Sequence, residues 1–158
     1  MTEFERALVN AFNRHFEEQG LNGIAYRRKQ HRFSSQFCDV LVDSGHPDYY
    51  LAIENKSLKV PDNTMLYFSQ HFSEANDRHQ VERITDFVER SGRDGYLAVE
   101  LKRGRGKPRK AYLVPWAEID RKYTTNAVGL PVEKIKNFPE LERDGGEYRI
   151  APVLEALG

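Results

Sequence analysis

The sequence predicts an α/β fold, a mixed central β-sheet flanked by helices, and three observations predict it. Two segments carry apolar residues at helical spacing. Three apolar runs are short enough to be strands covered on both faces. Turn residues separate these pieces in the order αβββαββ.

Thr2 and Glu5 have the Thr-x-x-Glu spacing of a capping box, and behind them Phe4, Ala7, Leu8, Ala11, Phe12 and Phe16 recur at helical intervals. This predicts an amphipathic helix over 3–19, stopped near Gly20. A strand is expected over 24–33, then a second in Phe37-Cys38-Asp39-Val40-Leu41-Val42. Ser44-Gly45-His46-Pro47-Asp48 is a turn signal, and a third strand over 49–56 is apolar for most of its length. Residues 57–75 read as a loop with scattered aromatics Tyr67, Phe68 and Phe72. A second helix is expected over 76–90, burying Val81, Ile84 and Val88 and ended by Gly92. Tyr96–Leu101 is a strand, 102–110 a basic hairpin loop, 111–114 the returning strand, and Pro115-Trp116-Ala117-Glu118 opens a short helix. No linker or repeat divides the 158 residues, so one domain spanning 1–158 is expected.

Composition narrows the classes. Hydrophobic residues make up 39% and charged residues 30%, and no apolar stretch approaches the roughly 20 residues of a membrane span. The first twenty residues carry Glu3, Glu5, Glu17 and Glu18 and no apolar core of a secretory signal, so a cytoplasmic protein is expected. A single cysteine excludes an intramolecular disulfide and a cysteine-rich zinc site. His46, His71 and His79 make no zinc spacing with a carboxylate. The formal net charge is zero, so any hold on nucleic acid must come from local clusters of Lys and Arg.

The chemistry-bearing pattern is Asp39, fourteen residues, then Glu54-Asn55-Lys56. Two strands joined by a short turn bring both carboxylates and the ammonium to one sheet edge. Side chains alternate along a strand, so Lys56 faces the same side as Glu54 while Asn55 faces away and offers its backbone carbonyl. Mg²⁺ takes oxygen ligands, usually one or two carboxylates with water and phosphate completing the shell. Asp39 and Glu54, with the Asn55 carbonyl, suit it. Lys56 could then orient or help deprotonate a water, or stabilise developing charge. The same residues also fit a surface ion-pair cluster with no catalytic role. Against that, Asp39 interrupts an apolar run, where an isolated charge is costly unless partnered.

With these flanks the pattern resembles the PD-(D/E)XK nuclease superfamily, and within it the Holliday-junction resolvases of the archaeal Hjc and bacterial RecU-like kinds. Phe4-Glu5-Arg6-Ala7-Leu8-Val9-Asn10 resembles their first helix, His79-Gln80-Val81-Glu82 the start of the helix after the Glu-x-Lys strand, and Tyr112-Leu113-Val114-Pro115-Trp116 a later strand. The likeness covers about residues 2–120. Cys38 stands where the superfamily pattern has proline, the long inserted stalk of RecU-like enzymes is missing, and 122–158 is an unassigned extension.

The resemblance implies a restriction-endonuclease-like core and a Mg²⁺-dependent endonuclease, with Mn²⁺ as substitute, that cuts four-way DNA junctions as a homodimer. It places catalysis on Glu5, Asp39, Glu54, Lys56 and Gln80. Two basic stretches are candidates for phosphate contact: the 26–32 segment, with Arg27, Arg28, Lys29 and Arg32, and the 102–110 loop, with Arg103, Arg105 and Lys107. Lys59, just past the triplet, joins them. A solvated strand edge and an ordinary solvated loop explain the same charges. Tyr67, Phe68 and Phe72 are expected as satellite core, as dimer contacts or as platforms for unpaired bases. His15 and Cys38 are expected as packed residues. The alternatives in function are another nuclease of this superfamily acting on duplex or single strands, and a non-catalytic nucleic-acid-binding module of the same fold.

Overall fold

A computed structural model describes residues 2–27, 38–75 and 77–157. Helix α1 (Glu3–Gln19) packs on a five-stranded sheet of β1 (Gly23–Arg27), β2 (Val40–Ser44), β3 (Leu51–Lys59), β7 (Asp94–Lys102) and β8 (Lys110–Pro115), in that spatial order. β3 and β7 run parallel and every other neighbouring pair antiparallel, so the sheet is mixed, as expected. α3 (Gln80–Ser91) crosses from β3 to β7, and α4 (Trp116–Thr124) follows β8.

The period of two in the strands sorts the core into two layers. Val40, Val42, Leu51, Ile53, Ala98 and Leu113 face α1, meeting Phe4, Leu8, Phe12 and Phe16. Leu41, Ala52, Leu58, Leu97, Val99 and Val114 face the other way, onto Val81 and Ile84 of α3 and Trp116 and Ile119 of α4. Each layer buries large side chains almost completely, which is the main source of cohesion.

The ends of α1 follow from its sequence. Thr2 Oγ1 accepts the Glu5 N–H at 3.1 Å, and Gly20 ends the helix at φ 64°, a left-handed conformation that favours glycine. The capping box closes on one side only: the Glu5 carboxylate lies against Arg27 instead of returning to Thr2.

Several boundaries differ from the sequence reading. β1 spans Gly23–Arg27, and the remainder of the expected 24–33 strand lies outside the described residues, as does Phe37. Asp39 sits in a bend just before β2, not within a strand. The 57–75 segment is not a loop. β3 continues to Lys59, and β4 (Met65–Tyr67), α2 (Phe68–His71) and β5 (Glu74–Ala75) follow. The helix expected from 76 begins at Gln80, because β6 (Arg78–His79) pairs with β5 and His79 caps the helix: its Nδ1 accepts the Val81 N–H at 3.1 Å.

The C-terminal extension forms β9 (Gly129–Pro131), α5 (Val132–Ile135), the β10–β11 hairpin (Arg143–Asp144 and Glu147–Tyr148) and α6 (Ala151–Leu157). β9 pairs with β4 so closely that a Cβ on Gly129 would lie 2.2 Å from the Leu66 carbonyl oxygen. The hairpin and α6 pack Tyr148, Ile150 and Val153 against the α1 layer. No helix among the described residues is long and apolar enough to cross a membrane.

Candidate active site

The site forms where β2 gives out beside β3. The β2–β3 ladder runs only from Val42–Leu51 to Val40–Ile53, so the backbone N–H of Asn55 has no strand partner there. Asp39 supplies one. Its Oδ2 accepts that N–H at 2.9 Å, replacing a strand carbonyl and fixing Asp39 beside Glu54.

Glu54 is 3% exposed, on the α3 face of the sheet. Its Oε2 accepts from Gln80 Nε2 at 2.7 Å and lies 3.2 Å from Lys56 Nζ. Burial first, then the Asp39 carboxylate beside it, push the Glu54 carboxyl up to about 8, with Lys56 acting in the opposite direction. Lys56 Nζ also lies over the Phe72 ring, 4.6 Å from its centroid, so the ammonium is held between a carboxylate and an aromatic face.

Gln80 is held from both ends. Its backbone N–H donates to Ser73 O at 2.7 Å, and its Oε1 accepts the Ser73 N–H at 3.1 Å. This orients the amide so that Nε2 donates to Glu54. Asp39, Glu54, Asn55, Lys56 and Gln80 line one open cleft of about 420 Å³, with Glu5, Gln70, His71, Phe72 and Ser73.

Glu5 reaches the cleft from α1, 7% exposed, with Arg27 Nε 3.1 Å from its Oε2. The two are close enough to attract but misaligned for a hydrogen bond. Arg27, expected to touch DNA, therefore neutralises Glu5 at the edge of the cleft. Asn55 lies as the strand period predicted, on the α1 side, and both of its amide atoms are buried without a hydrogen-bond partner.

Asp39 and Glu54 offer carboxylate oxygens of the kind a hard divalent cation takes. Among the described residues, no group of three or more His, Cys, Asp and Glu could hold a metal ion. Two adjacent carboxylates remain, one of them buried beside a like charge. Mg²⁺ characteristically takes such a pair and keeps several waters or phosphate oxygens.

The other expected binding residues are dispersed. Arg28, Lys29 and Arg32 lie outside the described residues. Lys59 is exposed at the end of β3, and Arg105 and Lys107 are exposed in the β7–β8 hairpin, where Arg103 Nε donates to Pro108 O at 2.8 Å. Phe68 and Phe72 are core residues, and Tyr67 stacks on His71. His15 and Cys38 are buried, and His15 Nε2 lies 2.8 Å from Tyr49 Oη.

Sequence reasoning missed the parts that hold the site. Phe72 and Ser73 fall in a stretch without hydrophobic period, and no local signal marks their contacts with Lys56 and Gln80.

No protein-family model matches the chain, and no curated protein does. Among solved structures, that of Archaeoglobus fulgidus Hjc, a Holliday junction resolvase from an archaeal hyperthermophile, is similar over 98% of this chain and 89% of that one. The sequence identity is 22% and the TM-score 0.45.

Proposed function

We propose that this chain is a metal-dependent DNA endonuclease that nicks branched DNA, with the four-way junction as its principal substrate. The observation that carries the reading is the convergence of Asp39, Glu54, Lys56 and Gln80 on one open cleft. Hydrolysis of a phosphodiester needs a positioned water and a means to stabilise charge at phosphorus, and this set supplies both.

Asp39, Glu54 and the Asn55 carbonyl would hold Mg²⁺, or Mn²⁺ in its place. A bound cation of this kind acidifies a water and neutralises the developing phosphate charge. Asp39 would be one of the ligands, its carboxylate held in place by the Asn55 N–H on Oδ2. Gln80 fixes the Glu54 carboxylate in orientation, and its amide can pass to a water in the cleft. Lys56 offers its ammonium to the phosphate oxygens. Glu5, beside the pair, polarises waters at the cleft wall.

A four-way junction has approximate two-fold symmetry and needs two nicks. A homodimer would provide two equivalent sites related by that symmetry. Little base readout is expected, because phosphate contacts and shape carry recognition.

The test compares a labelled four-way junction with a linear duplex of the same sequence, with and without Mg²⁺ or Mn²⁺, using wild type and Asp39→Ala. Paired nicks in opposite arms, dependent on metal and lost in the variant, are expected. Cutting of the duplex alone would place the chain among other endonucleases. Tight binding with no turnover under any of these conditions would make it a binding module.

A further inference from the structure

A second cleft lies beyond the end of β3. The 60–64 turn, the β7–β8 hairpin and α5 enclose about 410 Å³ between them. Val60 and Val132 form its apolar part, and Asn63 and Thr64 add an amide and a hydroxyl. Arg103 and Lys107 from the β7–β8 hairpin and Lys136 at the end of α5 bring positive charge. Glu133 is the one carboxylate among the residues lining it, and its Oε1 lies 3.6 Å from Lys136 Nζ.

The end of the β3–β7 ladder holds the cleft in place: Val60 donates its N–H to Lys102 O at 2.9 Å, while Lys59 and Lys102, paired on the last rung, point to the opposite face of the sheet. Arg103 is anchored to Pro108 O through Nε, which among the described residues leaves its two Nη nitrogens for an outside group. A chain with no net charge thus concentrates cations at one corner, where their mutual repulsion is relieved by an anion.

We infer that this cleft seats a backbone phosphate of the same polynucleotide whose bond is cut at Glu54, a second and non-catalytic contact; the inference rests on the nuclease reading above. Val60, one residue past the end of β3, lies on the same face as Glu54, and six residues at about 3.3 Å each put them roughly 20 Å apart. That is well inside the ~34 Å of one duplex turn, so a single arm spans both. The cationic side chains take the phosphate, and the apolar wall of Val60 and Val132 faces the sugar. Lys136 comes from the C-terminal extension, which gives that segment a role in holding DNA.

The test is binding of a labelled four-way junction without divalent metal, followed by fluorescence anisotropy over a salt series, with wild type, Lys136→Gln, Arg103→Gln and Glu133→Gln. Lys136→Gln and Arg103→Gln should each weaken binding several-fold, alike for unrelated sequences, and lower the log–log salt slope by about one. Glu133→Gln should tighten binding, because it removes the carboxylate that competes for Lys136; misfolding cannot produce that gain. Unchanged affinity and slope in all three variants would overturn the inference. So would binding of inorganic phosphate that Lys136→Gln abolishes while DNA binding stays the same. If wild type cuts junctions and these variants bind normally, the cleft assignment alone fails. If the variants shift as expected but nothing is cut with Mg²⁺ or Mn²⁺, the nuclease reading alone fails.

Discussion

Gln80 reaches back from the first turn of α3 to donate its Nε2–H to Glu54 Oε2 at 2.7 Å, tying the crossing helix to the strand that carries the candidate chemistry. Its Oε1 is committed to the Ser73 N–H, so the amide cannot flip without exchanging two bonds. Gln80→Ala removes both. A hydrogen bond to a charged group contributes about 1.5–3 kcal/mol, so nicking should fall by one to two orders of magnitude. Gln80→Glu should be worse, because a third carboxylate replaces the donor. Single-turnover nicking with saturating DNA measures both. Equal activity in wild type and Gln80→Ala would remove Gln80 from the machinery.

Glu54 makes the metal-free protein sensitive to pH in a direction opposite to an ordinary salt-bridged acid. The unfolded chain releases this proton near 4.5, while the folded chain keeps it to about 8. Between those values the folded state binds more protons, so the contribution of Glu54 to stability declines as pH rises through that window. Below 4.5 both states are protonated and the effect vanishes. Glu54→Gln keeps the hydrogen-bonding shape without the charge. In the presence of a chelator it should therefore melt higher than wild type, by several °C at pH 8 and by nothing at pH 4. Mg²⁺ should raise the melting temperature of wild type and leave that of Glu54→Gln in place, since a ligand stabilises only the state that binds it. Scanning calorimetry across pH reads both effects; a constant difference between the two proteins would contradict the assignment.

What was legible in the sequence had a period or a punctuating residue. Phe4, Leu8, Phe12 and Phe16 defined α1, Gly92 ended α3 in a left-handed conformation, and the apolar runs of β3 and β7 announced strands covered on both sides. The Asp39 and Glu54-x-Lys56 spacing led to a single cleft because strand alternation and one short turn determine it. The segment from Met65 to His79 was opaque for a physical reason. β4 forms by pairing with β9, over sixty residues later, and α2 is one turn long. Neither length nor period could announce them. Asp39 could not be placed in its bend, because the residues before it do not reveal where the β2 ladder stops. The extension past Lys122 was unreadable for the same reason as β4: its short pieces exist through contacts with α1, β4 and each other.

Arg93, between the helix end at Gly92 and the expected strand from Tyr96, carries a structural role that no sequence signal marks. Its side chain is 9% exposed, Nη1 donates to Val42 O at 3.2 Å and Leu51 O at 3.1 Å, and the same nitrogen pairs with Asp43 Oδ1 at 2.8 Å. The guanidinium also sits 4.2 Å from the centroid of the Tyr50 ring. It clamps β2, β3 and the start of β7 at the end remote from the cleft. Arg93→Met strips two buried carbonyls of a charged donor and leaves the part-exposed Asp43 to water; two hydrogen bonds to a charged group at about 1.5 kcal/mol each make the loss about 3 kcal/mol. The melting temperature should fall by roughly 10 °C, while nicking measured well below it stays close to wild type. Chemical denaturation and the junction assay together check this. An activity loss with unchanged stability would mean Arg93 belongs to the functional surface.

Lys56 separates a catalytic site from a structural ion-pair cluster. If the charges serve only folding, Lys56→Met should leave Glu54 without its cation, destabilise the fold strongly and coincide with no metal binding. The nuclease reading expects otherwise. Without metal, the buried Glu54 carboxyl tolerates the loss because burial already favours its neutral form. Met conserves the aliphatic stem against Phe72, so packing is nearly kept. The melting temperature should move by only a few °C, and the Mg²⁺-induced rise should persist because Asp39 and Glu54 remain. Nicking should drop by 10²–10³-fold, the scale of removing one donor from developing charge. Phe72→Leu and Phe72→Tyr extend the argument. Both fill the core, yet only tyrosine presents an aromatic face to the ammonium, so Phe72→Tyr should retain most activity and Phe72→Leu should lose about tenfold in kcat with DNA affinity unchanged. Equal activities for the two would reduce Phe72 to packing and leave Lys56 positioned by Glu54 alone.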